Sequence, residues 1–126
     1  MNTRDLTSYA YVAATVLLTV YGQVIVKWQV ADAGELPELA QGKFWFLLTL
    51  LINPWILSAF LAAFLASVTW IAAMTRLPLS EAYPMTSVSF VLVIFLSALF
   101  FHEAITTPKI LGAAFIIVGI VIGSRG

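Results

Sequence analysis

Four apolar runs separated by short polar breaks organise this chain. They cover about residues 9–28, 54–74, 79–101 and 108–124. A helix needs about 20 largely apolar residues to cross roughly 30 Å of hydrocarbon, so each run predicts a membrane-spanning helix. Asn53-Pro54 reads as an N-cap followed by proline at the first helical position of the second span, and Arg76-Leu77-Pro78 closes that span. The later connections are short, which predicts antiparallel neighbours. Between Lys43 and Asn53 lies Phe44-Trp45-Phe46-Leu47-Leu48-Thr49-Leu50-Leu51-Ile52, too short to cross at about 1.5 Å per residue. Its aromatic start predicts a helix over about 44–52 lying in the headgroup region. The alternative is a longer, tilted second span starting near Phe44, with Pro54 as a kink. The prediction is an all-α membrane protein of one domain over residues 1–126, with four transmembrane helices plus a short interfacial helix between spans 1 and 2.

Composition agrees: 62% of residues are hydrophobic and 10% charged, where soluble domains average about 45–50% and about 25%. Six basic residues balance six acidic ones, so the chain predicts no nucleic-acid partner and no polybasic lipid anchor. It has no cysteine, which excludes disulfides, thiolate metal sites and a cysteine nucleophile, and the single His102 cannot build a metal site. No nucleophile–base constellation, Gly-rich phosphate loop or metal-ligand spacing occurs, so no cofactor, metal or catalytic residue is expected and the chain does not read as an enzyme. Met1 to Ser8 carries one basic residue beside Asp5, and the apolar run that follows lacks a small-residue exit, so no cleaved signal peptide is expected. Arg4, Arg76 and Arg125 fall on one side of the predicted bundle and Lys43 and Lys109 on the other, joined by Lys27 if it snorkels. That balance leans towards both termini in the cytoplasm and leaves an antiparallel dual-topology pair open.

Chemistry concentrates in the first and third spans. Thr15, Thr19, Gln23 and Lys27 recur every four residues and form one drifting polar stripe, with a cation and no carboxylate. Each member has a bland reading: threonines bond back to the preceding turn, Gln23 bridges helices, Lys27 snorkels. Four on one face favour a lined cavity, in which Lys27 is a point charge for a phosphate and Gln23 and the hydroxyls bond neutral oxygens. The third span opens Leu79-Ser80-Glu81-Ala82-Tyr83-Pro84-Met85-Thr86-Ser87. Pro84 frees a carbonyl, which a membrane tolerates only inside protein or along a cavity. Tyr83 and Ser87 share a face and are expected to meet the stripe across a groove between the first and third spans. Glu81 is either a helix-start carboxylate favoured by the dipole or a contact for a cationic substrate group. Glu103 is expected at the membrane side of Lys27, in an ion pair or a helix-connecting hydrogen bond that fixes the end of the third span, or as a substrate contact. Ser58, Ala62 and Ala66 in the second span and Gly119 with Gly123 in the fourth are small residues at helix-packing spacing, the latter favouring a dimer seam.

With these motifs in view, the chain resembles a known family. Gly22-Gln23-x-x-x-Lys27, Ala82-Tyr83-Pro84-Met85-x-Ser87-x-x-Phe90-Val91-x-Val93, His102-Glu103, and Gly112-Ala113-Ala114-Phe115-Ile116-Ile117 through Gly119 resemble the small four-span subunits of the aminoarabinose–phosphoundecaprenol flippase. These are drug/metabolite transporters related to small multidrug resistance and EamA-type proteins. The resemblance implies flipping of an undecaprenyl-phosphate-linked sugar across the bacterial inner membrane for envelope or lipopolysaccharide modification, as a homodimer or with a related small subunit. The reading of the residues places the substrate path along Lys27, Gln23, Thr19, Thr15, Tyr83, Ser87, Glu81 and Glu103, with Gly112, Gly119 and Gly123 packing helices. Two features depart from the pattern: the longer, more aromatic segment between the first two spans, and Glu81 where a small neutral residue is usual. The competing readings are a proton-coupled exporter of organic cations, whose mid-span glutamate is replaced near Thr19, and a non-transporting scaffold subunit of a membrane glycosyltransferase complex.

Overall fold

The computed structural model describes residues 3–126, with side chains from Leu6 onward, so Arg4 of the basic-residue comparison lies outside the described side chains. The described residues form six helices and no strand: α1 (Thr3–Ala33), α2 (Ala40–Leu51), α3 (Pro54–Met74), α4 (Leu79–Met85), α5 (Val88–Phe101) and α6 (Thr107–Gly123). Three stretches are long and apolar enough to cross a membrane: Leu6–Ala33, Pro54–Met74 and Leu79–Phe101, the last made of α4 and α5 together. The apolar α6 has 17 residues, about 25 Å at 1.5 Å per residue, the short end of what can span.

Helices α1 and α3 make the closest pair. Apolar burial gives little drive for pairing inside lipid, so contact depends on close packing and hydrogen bonds. Small residues supply the first. Ala59, Ala62, Ala66 and Ala73 are buried along α3, and a Cβ on Gly22 would stand 3.4 Å from the Ala59 carbonyl oxygen. Ser58, which has the right spacing to join that row, lies beside it instead: its Oγ meets Tyr21 Oη at 2.9 Å.

Both ends of the pair are tied. At one end Val12, Ala73, Leu77 and Ala82 form a small core flanked by Tyr9, Trp70, Met74 and Met85. At the other, α1 continues past the expected limit near Trp28, which brings Gln29 into the protein at 9% exposure. Asn53 Nδ2 donates to Gln29 Oε1 (3.1 Å), while Asn53 Oδ1 accepts from Trp55 N–H (2.8 Å) and caps α3. The N-cap and Pro54 thus stand where the sequence puts them. Trp28 and Trp55 meet edge-on beside this pair, with ring centroids 5.1 Å apart. Extended backbone at Asn53 separates α2 from α3, so the two are distinct helices and not one kinked span. No residue of α2 is buried.

The third span is not one regular helix. Pro84 has no N–H to offer Ser80, and the backbone tightens beyond it: Thr86, Ser87, Ser89 and Phe90 donate three residues back, to Tyr83, Pro84, Thr86 and Ser87 carbonyls, at 3.0 Å each. α5 ends at His102, whose φ of 55° is the only positive value at a non-glycine among the described residues. The backbone N–H groups of His102 and Glu103 both turn back to Ser97 O. α6 packs against α4 and α5 and buries no residue, and a Cβ added at Gly112, Gly119 or Gly123 would meet open space.

Two predictions follow from these contacts. Gly22→Ala fits as an ordinary contact, whereas Gly22→Leu forces α1 and α3 apart and costs about 1–3 kcal/mol, the range for overpacking; thermal unfolding in detergent reads the difference. A left-handed non-glycine residue costs about 1–2 kcal/mol, so His102→Gly is neutral to stabilising by about 1 kcal/mol after its greater chain entropy, while β-branched His102→Val destabilises.

Candidate functional site

Between its tied ends, the α1–α3 pair opens into a lateral cleft of about 470 Å³. Thr15, Leu18, Thr19, Gly22, Gln23 and Val26 line it from α1, and Phe60, Ala63, Ser67, Trp70 and Ile71 from α3. Three of the four stripe residues therefore face one cavity, but across from the second span and not primarily the third. The physical reason is the glycine–alanine contact, which lets α3 approach α1 more closely than the bulkier α5 can. Lys27 follows Gln23 by about 40° on the helix and is exposed, one turn beyond the cleft. From Thr15 to Lys27 the stripe rises about 18 Å, more than half the hydrocarbon thickness.

A second cavity of about 270 Å³ carries the stripe on to the third span. Thr15, Val16 and Thr19 face Tyr83, Thr86 and Ser89 across it, with Trp70 as the wall shared with the cleft. Tyr83 thus reaches the stripe as expected. Ser87 is not among the lining residues, because the tightened turn after Pro84 presents Thr86 and Ser89 in its place.

The stripe divides into members already bonded and members that are open. Thr15 Oγ1 lies 2.7 Å from Thr69 Oγ1, and Thr69 Oγ1 lies 3.0 Å from Ala66 O, so a relay from Thr15 through Thr69 satisfies both hydroxyls. Thr15 Oγ1 is also 2.9 Å from Tyr11 O, the back-bonding geometry foreseen for a membrane threonine. Among the described residues, the side chains of Thr19, Gln23 and Lys27 have no such partner.

Glu81 is half-buried in the first turn of α4 and accepts a hydrogen bond from Tyr9 Oη at 2.5 Å. It therefore ties α4 to α1 and lines neither cavity. Glu103 stands at the same end of the bundle as Lys27, since Phe100 and Phe101 share a cavity with Val24, Ile25 and Trp28. Of the alternatives open for Glu103, the ion pair with Lys27 is not formed: both are exposed, and among the described residues no hydrogen bond or ion pair joins them. The left-handed turn at His102 uses the Glu103 backbone as a cap and leaves its carboxylate in the open. Nearby, Lys109 Nζ donates to Ala104 O at 3.0 Å and closes the connection into α6.

Sequence reasoning missed the second-span contribution. Ser67, Thr69 and Trp70 are the polar or amphipathic positions in the apolar second half of α3, and with the Ala59–Ala66 spacing they mark the face turned to α1. That was the available signal.

Comparison with known proteins places this geometry. The sequence profile of the EamA-like transporter family matches residues 1–125. A probable 4-amino-4-deoxy-L-arabinose-phosphoundecaprenol flippase subunit ArnE of Aeromonas salmonicida is 40% identical over 82% of this chain and 84% of its own length. The subunit of the same description from Yersinia pseudotuberculosis is 37% identical, covering 93% of this chain and 96% of that protein. A probable subunit ArnF of that flippase from Photorhabdus laumondii is 35% identical over the same shares, 93% and 96%. No solved structure matches the chain. A profile covering nearly every residue, relatives matched over most of their length and an all-helical apolar fold agree: the chain belongs to the EamA-like transporter family.

Proposed function

We propose that this protein flips a polyprenyl-phosphate-linked sugar, of the aminoarabinose–phosphoundecaprenol class named for its relatives, across the bacterial inner membrane. The observation that carries the proposal is the lateral cleft, lined by Thr19 and Gln23 and followed by Lys27, with no carboxylate among its lining residues. A phosphate in bare hydrocarbon faces a Born penalty on the order of 20 kcal/mol. A path of neutral hydrogen-bonding groups ending at a lysine offsets part of it, while the isoprenoid tail stays in lipid. The protein lowers a barrier by shielding and makes no covalent bond.

Four spans, with α6 as the fourth, put both termini at one membrane face, and the basic residues favour the cytoplasm for that face. Trp28, Trp55, Phe44 and Trp45 then sit at the opposite headgroup level, and α2, with no buried residue, lies along that interface. Lys27 is near the periplasmic end. The open Gly112–Gly119–Gly123 face of α6 supports association with a second small subunit or a second copy, because among the described residues none packs against these glycines. Cation export has less support: no carboxylate lines the cleft, and Glu81 of the third span is engaged by Tyr9.

Lys27→Ala is expected to lower translocation of a fluorescent lipid-linked sugar in reconstituted vesicles at least about tenfold, or 1.4 kcal/mol in the barrier, with insertion unchanged. Wild-type rates in that variant would remove Lys27 from the path. Gly119→Leu is expected to leave helix content intact and weaken subunit association, read by light scattering in detergent.

A further inference from the structure

The two cavities differ in size and in the helices that line them. The larger cleft lies between α1 and α3, where Thr19, Gln23 and Ser67 stand among Leu18, Val26, Phe60 and Ile71. In the smaller one, between α1, α3 and the α4–α5 span, five of seven lining residues carry hydroxyls and none is charged, which suits the hydroxyl- and amine-bearing ring of a sugar better than a phosphate. Its 270 Å³ is below the usual range of about 300–1,000 Å³ for drug-sized ligands, which limits it to one ring.

Trp70 stands between them. Tyr83 meets it edge-on, with centroids 6.2 Å apart and planes at 74°, which fixes the indole against α4. Among the described residues its Nε1–H has no acceptor, and no buried polar atom is left unpartnered, so this donor faces open space. The Thr19 and Tyr83 hydroxyls are also without partners among the described residues, while Thr86 and Ser89 donate to the backbone and keep lone pairs free. An aromatic plate ringed by free donors and acceptors matches a pyranose, whose C–H face packs on the ring while its hydroxyls bond at the rim.

We infer that Trp70 is the sugar-recognition platform of this transporter: one monosaccharide ring packs on its indole in the hydroxyl-lined cavity, while the isoprenoid stays in lipid. This rests on the proposed transport of a lipid-linked sugar and adds which residue reads the sugar. Glu81 takes no part in that recognition, since Tyr9 holds it outside the cavity.

The test uses the purified full chain and two probes: farnesyl phosphate, and farnesyl phosphate bearing 4-amino-4-deoxy-arabinose. Replacing Trp28, Trp45 and Trp55 with Phe leaves Trp70 as the only indole. Its emission is expected to shift with the glycosylated probe and not with the bare phosphate. In the otherwise unaltered chain, Trp70→Leu should weaken binding of the glycosylated probe about three- to tenfold, the range for an aromatic contact, with Trp70→Phe in between and farnesyl phosphate unaffected. If the glycosylated probe binds yet Trp70 emission stays still, or if Trp70→Leu weakens both probes equally, the platform is wrong and Trp70 only packs against Ala73 and Leu77. If the unaltered chain binds neither probe by equilibrium dialysis, the transport reading fails and the platform with it. The Trp70→Phe and Trp70→Leu comparison stands by itself should the triple variant not fold.

Discussion

A polar group at membrane depth must find its partner inside the protein, and the rest of this structure depends on how that demand is met. Thr15 and Thr69 satisfy one another across α1 and α3, Gln29 and Asn53 do so at one end, and Tyr9 and Glu81 at the other. Interhelical hydrogen bonds in lipid average only about 0.6 kcal/mol each, so they do not hold the bundle alone. They act with the Gly22–Ala59 approach, which brings the helices near enough for short side chains to meet. The α1 side chains that remain unsatisfied, Thr19, Gln23 and Lys27, are then concentrated on one open face.

The same demand explains the third span. Pro84 deletes one bond of the helix ladder, and the chain recovers by bonding three residues back over the next turn. That turn rotates Thr86 and Ser89, in place of Ser87, towards α1. A local backbone adjustment therefore selects which hydroxyls line the inner cavity.

Much of the fold was legible because its causes are local. The apolar runs, the Asn53-Pro54 helix start and the disturbance at Pro84 each follow from a few adjacent residues. The partner of the polar stripe was not legible in that way, since side-chain spacing on α1 says which face is polar but not which helix comes closest. Gly22 decided that, and its effect appears only when Ala59 stands opposite. Trp70 was missed for a related reason: a tryptophan in an apolar run reads as ordinary packing until hydroxyls from α1, α4 and α5 gather round it. A Lys27–Glu103 ion pair was one of the alternatives their shared membrane side left open, and attraction between two exposed charges, about 0–1 kcal/mol, is too weak for spacing alone to decide it.

Asn53 joins two kinds of information in one side chain. Its oxygen begins α3 and its nitrogen finds Gln29 on α1. Smooth aliphatic helices in lipid have little to stop them sliding along one another, and a slip of one residue would turn α3 by about 100°. The cap can form only where the helix starts, and the amide bond only at one height on α1, so together they act as an alignment pin for the hairpin. Because Gln29 leaves the ribosome before Asn53, the first helix carries the mark against which the second is set.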